Sequence, residues 1–382
     1  MRKLNALATL AALATLATLA SCGGGAGATG GAPRRLGVHS AKLGDAQAPQ
    51  ASRGPGTQIP LPHLVGQQLI VAMNGLTPDA ALLRRIYKGQ VGGVFLSGPN
   101  ISSPRQVAAL VRKLQASAKA GANPPLLIAT DQEGGEVKRL PWAPPALTPT
   151  EMGRAGAAVS RAQGRATGGA LRALGINVDL APVLDVARSP SVFIWRQGRA
   201  FGMDPTTVID SAVPFATGLQ SAGVAATAKH YPGIGGAGAN TDYTLDTISE
   251  RPADLLPYRA AIGAGVALIM VSTAVYPNLD PSRHRAALSQ PIITGLLRGY
   301  SGYHGTVITD DVEEPTAQAT GEAAVAAAAA GADIVLVSST ENGGPEAYRA
   351  LLAAARAGRL RSSGIGAAYA RIQALKRAYA HS

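Results

Sequence analysis

Residues 224–246 read VAATAKHYPGIGGAGANTDYTLD. A short apolar run ends at Lys229 and His230, and a glycine-rich segment then leads into polar residues. Glycines add little side-chain mass for packing, so a segment of this kind suits a mobile loop over a site. We therefore expect a buried strand that ends at Lys229 and His230, with a functional loop beyond it.

Similar short apolar runs recur along the chain, separated by amphipathic segments with helix-start signals. Thr77-Pro78 and Ser103-Pro104 each place proline after an N-cap residue, which predicts helices over 78–88 and 104–120. Apolar strands that alternate with helices indicate a parallel sheet buried on both faces. Eight repeats favour a single-domain α/β fold, the (β/α)₈ TIM barrel, and a doubly wound sheet is the alternative. The predicted strands are 68–73, 93–96, 126–131, 178–185, 224–230, 267–272, 306–311 and 333–338.

Charged residues follow these apolar runs rather than precede them. In a TIM barrel the chemistry lies at the carboxyl ends of the strands, where such residues meet on one rim. The sequence therefore predicts one polar site at that rim. Its members at the strand ends are Asp131, Asp185, Lys229, His230 and Asp310.

The composition bounds the class of protein. A chain of 382 residues with 46% hydrophobic and 15% charged residues buries a large core. Its net charge of +12 favours anionic surfaces. No basic stripe is interleaved with aromatic residues, so we expect no nucleic-acid partner. No metal-ligand spacing and no P-loop occur, so we expect no metal and no cofactor, and we expect a monomer.

The N-terminus reads as a targeting segment. Arg2 and Lys3 precede an Ala/Leu/Thr run too short for a membrane span, which predicts a signal peptide over 1–21. The only cysteine, Cys22, follows in a context that resembles the bacterial lipobox, and a plain signal peptide is the alternative. We expect export, lipidation at Cys22 as the sole membrane attachment, a flexible tether over 22–57 and a barrel domain over 58–382.

Five separated motifs carry a family resemblance. Together they resemble the β-N-acetylhexosaminidase branch of the family 3 glycoside hydrolases, over roughly residues 60–376. The resemblance implies a barrel hydrolase that cleaves terminal β-linked N-acetylhexosamine from a carbohydrate such as an N-acetylglucosaminide or a cell-wall muropeptide. The motifs are DQEGG at 131–135, LAPVLDV at 180–186, RAFG at 199–202, KHYPG at 229–233 and ITDD at 308–311.

The resemblance also implies roles for particular positions. Asp310 matches the catalytic nucleophile of a retaining mechanism. Neighbouring Lys and Arg side chains are expected to hold Asp310 ionised, Asp311 to cap the next helix, and Glu133 to orient its loop. The positions that match sugar-binding residues are Asp131, Arg139, Arg199, Lys229 and His230.

One departure leaves two interpretations open. The family's acid/base histidine follows an aspartate by two residues, and here Asp242 is followed by Thr244, whose hydroxyl is not a proton donor near neutral pH. In the first interpretation the protein is an active glycosidase whose acid/base has moved. In the second it is a catalytically degenerate lipoprotein that binds glycan. The candidates for a relocated acid/base are Asp242, Asp246, Glu313 and Glu314.

Overall fold

The computed structural model describes residues 59–313, 318–340 and 342–380. The predicted signal peptide, Cys22 and the whole predicted tether lie outside these ranges. Eight parallel strands alternate with helices along the described chain. In chain order the barrel strands are Leu69–Val71, Gly93–Leu96, Leu127–Thr130, Val178–Asp179, Ala225–Tyr231, Leu268–Val271, Thr306–Thr309 and Val335–Val337.

The strands pair in chain order, and the first strand also pairs with the eighth. Every pair among them is parallel, and a single bridge between Ile308 and Ile334 joins the seventh strand to the eighth. The sheet therefore returns to its starting edge. This arrangement confirms the predicted TIM barrel, and the doubly wound alternative is wrong.

The predicted helix starts are right in one case and displaced in the other. Ser103 caps the helix Pro104–Ala120 as predicted, with its side chain accepting from the Gln106 amide. The preceding helix begins at Ala80 rather than residue 78, because the Asp79 carboxylate caps it by accepting from the Leu82 amide at 2.6 Å. A carboxylate satisfies the free amides of a first turn, which Thr77 does not do here.

Further helices cover the outside of the barrel. Most lie between successive strands, and the first and last in the described chain flank the barrel sequence. They are Leu61–Gly66, Pro149–Ala155, Ala157–Ala173, Phe193–Arg196, Pro205–Ser221, Leu256–Gly263, the π-helix Pro291–Tyr300, Thr320–Ala330, Gly343–Arg356 and Ser362–Tyr379. Short 3₁₀ turns occupy Gly98–Asn100, Pro252–Leu255 and Ala286–Leu288.

Apolar side chains fill both the barrel and the layer around it. Alternate residues of each strand point into the barrel, where Phe95, Leu180 and Met270 pack together beneath the rim. The other residues pack against the helices in a larger cluster. Both layers exclude water, so the burial of apolar surface holds the strand ends in place.

The fourth strand is shorter than predicted. It covers only Val178–Asp179, whereas the sequence predicts 178–185. The buried Asn177 side chain joins this strand to the third, accepting from the Ile128 amide at 2.8 Å and donating to the Leu126 carbonyl at 3.0 Å. Beyond Asp179 the chain is less regular but still runs beside the fifth strand, since the Thr227 amide donates to the Ala181 carbonyl at 2.8 Å and Val183 forms a bridge with Lys229. It then reaches Asp185, which lies fully buried.

Candidate active site

A cavity of about 430 Å³ opens at the carboxyl ends of the strands. This volume lies in the range of small-molecule sites, about 300–1,000 Å³. The barrel places every predicted catalytic and sugar-binding side chain along its wall. Those side chains are Asp131, Arg139, Arg199, Lys229, His230, Asp242 and Asp310.

A network of charges forms one side of the cavity. The Lys229 Nζ lies 2.8 Å from Asp131 Oδ1 and 2.7 Å from Glu133 Oε1. Arg199 donates to the Glu133 carboxylate from Nε at 2.8 Å and from Nη2 at 2.9 Å. Arg139 Nη2 lies 3.3 Å from Asp131 Oδ2. The network joins the loop after the third strand to the end of the fifth. It therefore fixes the polar groups that face the cavity.

Glu133 is the most buried member of this network, with no exposed side-chain surface. Burial alone would raise the pKa of its carboxyl, but Arg199 and Lys229 outweigh that effect and lower the pKa to about 2. The two carboxylates likewise raise the pKa of Lys229 above its ordinary value, against the effect of burial. Both groups are therefore charged at neutral pH, and the buried charges are mutually paired.

Asp185 supports His230 from behind rather than facing the cavity as predicted. Its Oδ2 lies 2.8 Å from His230 Nδ1, and its Oδ1 accepts from the Ile234 amide at 2.8 Å. Asp185 is fully buried, and His230 lies between it and the cavity. A carboxylate on one ring nitrogen fixes the orientation of the imidazole, so Asp185 positions His230.

Asp310 lies at the end of the seventh strand with one carboxylate oxygen unpaired. Its Oδ1 accepts from the Asp311 amide at 3.0 Å, whereas its buried Oδ2 has no hydrogen-bond partner among the described residues. Burial and the negative charge of Asp242 raise the pKa of Asp310 to about 6, although His230 and Lys229 act in the opposite direction. Asp310 is therefore mostly ionised at neutral pH, as expected, although burial affects its pKa more than the neighbouring cations do.

Only one of the described acid/base candidates lines the cavity. Asp242 does so, whereas Asp246 holds its own loop by accepting from the Gly238 amide at 2.9 Å. Glu313 accepts from the Ser339 and Thr340 amides, both at 2.9 Å, and so ties two loops together. Thr244 is exposed and does not line the cavity. Glu314 lies outside the described residues.

Asp311 does not cap the next helix as predicted. That helix begins at Thr320, and Ala319 occupies its N-cap position. The Asp311 carboxylate instead accepts from the Ser338 hydroxyl at 2.8 Å and from the Ser339 hydroxyl at 2.5 Å. Asp311 therefore joins the loop after the seventh strand to the loop after the eighth, beside Asp310.

Two residues line the cavity although the sequence did not predict it. Glu133 faces the cavity as well as ordering its loop, since it joins Lys229 to Arg199. Tyr243 follows Asp242, lines the same cavity and is 80% exposed. An apolar ring beside buried charges was visible in the sequence, but only the loop conformation shows that it reaches the cavity.

Across residues 59–313, 318–340 and 342–380, no three His, Cys, Asp or Glu side chains are grouped in a way that would hold a metal ion. Among the cavity carboxylates, Asp131 and Glu133 pair with cations, and Asp311 accepts from serine hydroxyls and loop amides.

Known proteins are similar to this chain in sequence and in fold. The chain matches the model of the glycosyl hydrolase family 3 N terminal domain over residues 63–375. It is 38% identical over 344 residues to an uncharacterized secreted glycosyl hydrolase of Arthroderma benhamiae, covering 85% of this chain and 96% of that protein. A beta-hexosaminidase of Thioalkalivibrio sulfidiphilus is 35% identical over 263 residues, with 65% and 74% covered.

Solved structures show the same likeness. A family 3 β-N-acetylglucosaminidase from Paenibacillus sp. str. FPU-7 superposes with a TM-score of 0.81 at 36% identity, covering 84% of this chain and 63% of that chain. A β-N-acetylhexosaminidase from Beutenbergia cavernae superposes with a TM-score of 0.78 at 36% identity, covering 84% and 100%.

The barrel and its carboxylate-lined cavity define a glycoside hydrolase. The chain belongs to glycosyl hydrolase family 3. Its relatives place it more narrowly, as a β-hexosaminidase-like member of that family.

The raised pKa of Asp310 predicts an acid limb in the pH profile. If Asp310 is the nucleophile, as the family resemblance implies, kcat/KM for an activated aryl N-acetylglucosaminide should rise through about pH 6, because a carboxyl group must lose its proton before it can attack. Asp242→Asn removes the negative charge that raises this pKa, so it should move the limb to lower pH. Asp246→Asn, a change on the same loop but outside the cavity, should leave the limb in place.

The measurement is kcat/KM against pH for the three proteins. A wild-type limb near the ordinary aspartate value of 3.8 would contradict the prediction. So would a limb that is unmoved by Asp242→Asn.

Proposed function

We propose that this protein cleaves terminal β-linked N-acetylhexosamine by a retaining mechanism, with Asp310 as the nucleophile. One observation carries the proposal: Asp310 presents an unpaired, buried oxygen to a cavity that it shares with a second carboxylate, Asp242. A retaining glycosidase needs such a pair, one group to attack and one to move a proton.

The reaction proceeds in two displacements. Asp310 Oδ2 attacks the anomeric carbon while the glycosidic bond breaks and the departing oxygen takes a proton, which leaves a glycosyl ester on Asp310. A water molecule then loses a proton to the same acid/base and attacks the anomeric carbon. The ester bond then breaks, which regenerates the Asp310 carboxylate and frees the sugar product.

The charge network suits the binding of sugar hydroxyls. Asp131 supplies acceptors, while Lys229, Arg199 and Arg139 supply donors that remain charged at neutral pH. His230 presents its ring to the cavity in an orientation that Asp185 fixes. These groups are already held by one another before substrate binds, so little ordering is needed on binding.

Asp242 is the acid/base that the geometry favours. It lines the cavity and acts electrostatically on Asp310, whereas Asp246 and Glu313 are engaged in loop contacts. This supports a proton donor at Asp242 in place of the missing histidine.

The substrate class follows from the relatives. Proteins named beta-hexosaminidase and β-N-acetylglucosaminidase are similar to this chain over most of its barrel. We infer an N-acetylglucosaminide, and a cell-wall muropeptide is the natural form that fits export. Tyr243, exposed at the cavity mouth, offers an aromatic face to the leaving sugar.

A glycan-binding protein without catalysis is the second candidate. Thr244 favours this candidate. It occupies the position of the acid/base histidine in the family that the chain resembles, and here it is exposed and does not line the cavity. The unpaired Oδ2 of Asp310 favours the hydrolase, because it shares the cavity with Asp242 and a retaining glycosidase uses two such carboxyl groups.

Asp242→Asn separates these functions through the leaving group. If Asp242 donates the proton, the variant should cleave an N-acetylglucosamine disaccharide about 10²- to 10⁴-fold more slowly than wild type, because the sugar oxygen departs poorly without a proton. An activated aryl N-acetylglucosaminide should lose much less in its first step. The measurement is kcat/KM for both substrates.

Asp246→Asn is the matched control, since it removes a carboxylate from the same loop without changing the cavity. Equal losses in both variants would refute a proton donor at Asp242. Wild-type protein that cleaves only the aryl substrate would indicate an impaired glycosidase, and binding of sugar without any cleavage would establish the second candidate.

We propose that the protein is exported and held at a membrane by a lipid on Cys22. No helix in the part of the chain that the structure describes is long and apolar enough to cross a bilayer. The Arthroderma relative named as secreted supports export. Cys22→Ala should therefore move the protein from the membrane fraction to the soluble fraction after cell lysis and a high-salt wash, because the wash releases electrostatic contacts but not an inserted acyl chain. Unchanged fractionation would contradict the anchor.

A further inference from the structure

A second cavity, of about 470 Å³, lies at the opposite end of the barrel from the sugar site. Gln68, directly before the first strand, and Asp333, two residues before the eighth, line it. The amino ends of the parallel strands therefore form its floor. We refer to it as the basal arginine pocket, for the arginines Arg298, Arg359, Arg361 and Arg371 in its wall.

Two of these arginines are held rigidly. Asp333 is fully buried and accepts from Arg298 Nη2 at 2.7 Å and from Arg371 Nε and Nη2 at 2.9 and 2.8 Å. Arg298 also donates to the Gly331 carbonyl at 3.1 Å. Neither guanidinium is free to turn away, so both keep their charge at the pocket wall.

The other two arginines carry charge that the described protein does not neutralise. Arg359 and Arg361 lie in the turn between the helices Gly343–Arg356 and Ser362–Tyr379, and both are exposed. Neither forms an ion pair with any described carboxylate. Among the described lining residues, four guanidinium groups face one carboxylate, so the pocket has an excess of three positive charges.

This chemistry selects a phosphate group. Arginine binds phosphate oxygens through two parallel N–H bonds, and Arg359 and Arg361 have no described carboxylate that competes for theirs, while the fixed Arg298 and Arg371 add positive charge to the wall. The remaining wall adds small and apolar surface, including Leu360 and Ile365, which suits the carbon skeleton of a phosphate ester. A carboxylate ligand would use fewer of the donors.

The position of the pocket suggests the source of that phosphate. The described chain enters through the helix Leu61–Gly66, and the following Gln67 is held by Lys376 Nζ at 2.6 Å. Lys376 lies on the same helix as Arg371. The N-terminal segment therefore joins the barrel at the end that carries the pocket.

We propose that the basal arginine pocket binds the phosphate of an anionic phospholipid headgroup. This contact sets the amino end of the barrel against a membrane surface and turns the sugar cavity away from it. The net charge of +12 acts in the same direction, because it draws the protein toward anionic lipid.

The test is vesicle binding by the full-length chain with Cys22→Ala, so that no attached lipid contributes. Sedimentation with phosphatidylcholine vesicles, with and without phosphatidylglycerol, measures the affinity. Arg359→Gln with Arg361→Gln should weaken binding to phosphatidylglycerol vesicles about tenfold or more, and added salt should weaken it further. Both residues are exposed, so the double variant should fold, and its aryl-glycoside cleavage should match the parent.

Arg105→Gln with Arg112→Gln is the matched control, because both arginines are exposed on the helix Pro104–Ala120 outside the pocket. Equal weakening in the two double variants would overturn the proposal in favour of a general charge effect. Binding of inorganic phosphate that depends on Arg359 and Arg361, without vesicle binding, would overturn the lipid source. Lost aryl-glycoside cleavage in the parent would bear on the proposed function alone.

Discussion

The buried ammonium of Lys229 is the group on which the site depends. It lies at the end of the fifth strand between Asp131 and Glu133, and Glu133 is held in turn by Arg199. Each charge compensates another inside the protein, so removing one partner would leave an unpaired buried charge, which typically costs about 3–5 kcal/mol. The loops at the barrel rim are thus joined by electrostatics as well as by packing.

Asp310 forms no ion pair with the Lys229 network, and its raised pKa is consistent with that position. A carboxylate that accepted several hydrogen bonds would be a stable anion and a weak nucleophile. Here one oxygen is unpaired and buried, and the pKa is raised to about 6. The carboxylate therefore remains mostly ionised at neutral pH, but it keeps the basicity that attack on an anomeric carbon needs.

The strand positions and the polar rim were predictable because both follow from short-range pattern. Apolar runs bounded by helix signals locate the strands, and their carboxyl ends bring Asp131, Lys229 and Asp310 together. The apolar pattern does not predict the conformation of the loops. Asp185 lies behind His230 because the irregular chain after Asp179 stays beside the fifth strand, where Val183 bridges Lys229. Asp311 joins two loops because the next helix starts only at Thr320. Tertiary contacts decide such positions, and sequence spacing does not record them.

The central claim is that Asp310 forms a covalent bond to the sugar. A fluorinated N-acetylglucosaminyl donor with an activated leaving group slows release of the glycosyl-enzyme, so proteolysis and mass spectrometry can locate the attached sugar. We expect the label on Asp310 in the wild-type protein and no label in the Asp310→Asn variant. A label on another carboxylate, or turnover of substrate by Asp310→Asn at the wild-type rate, would contradict it.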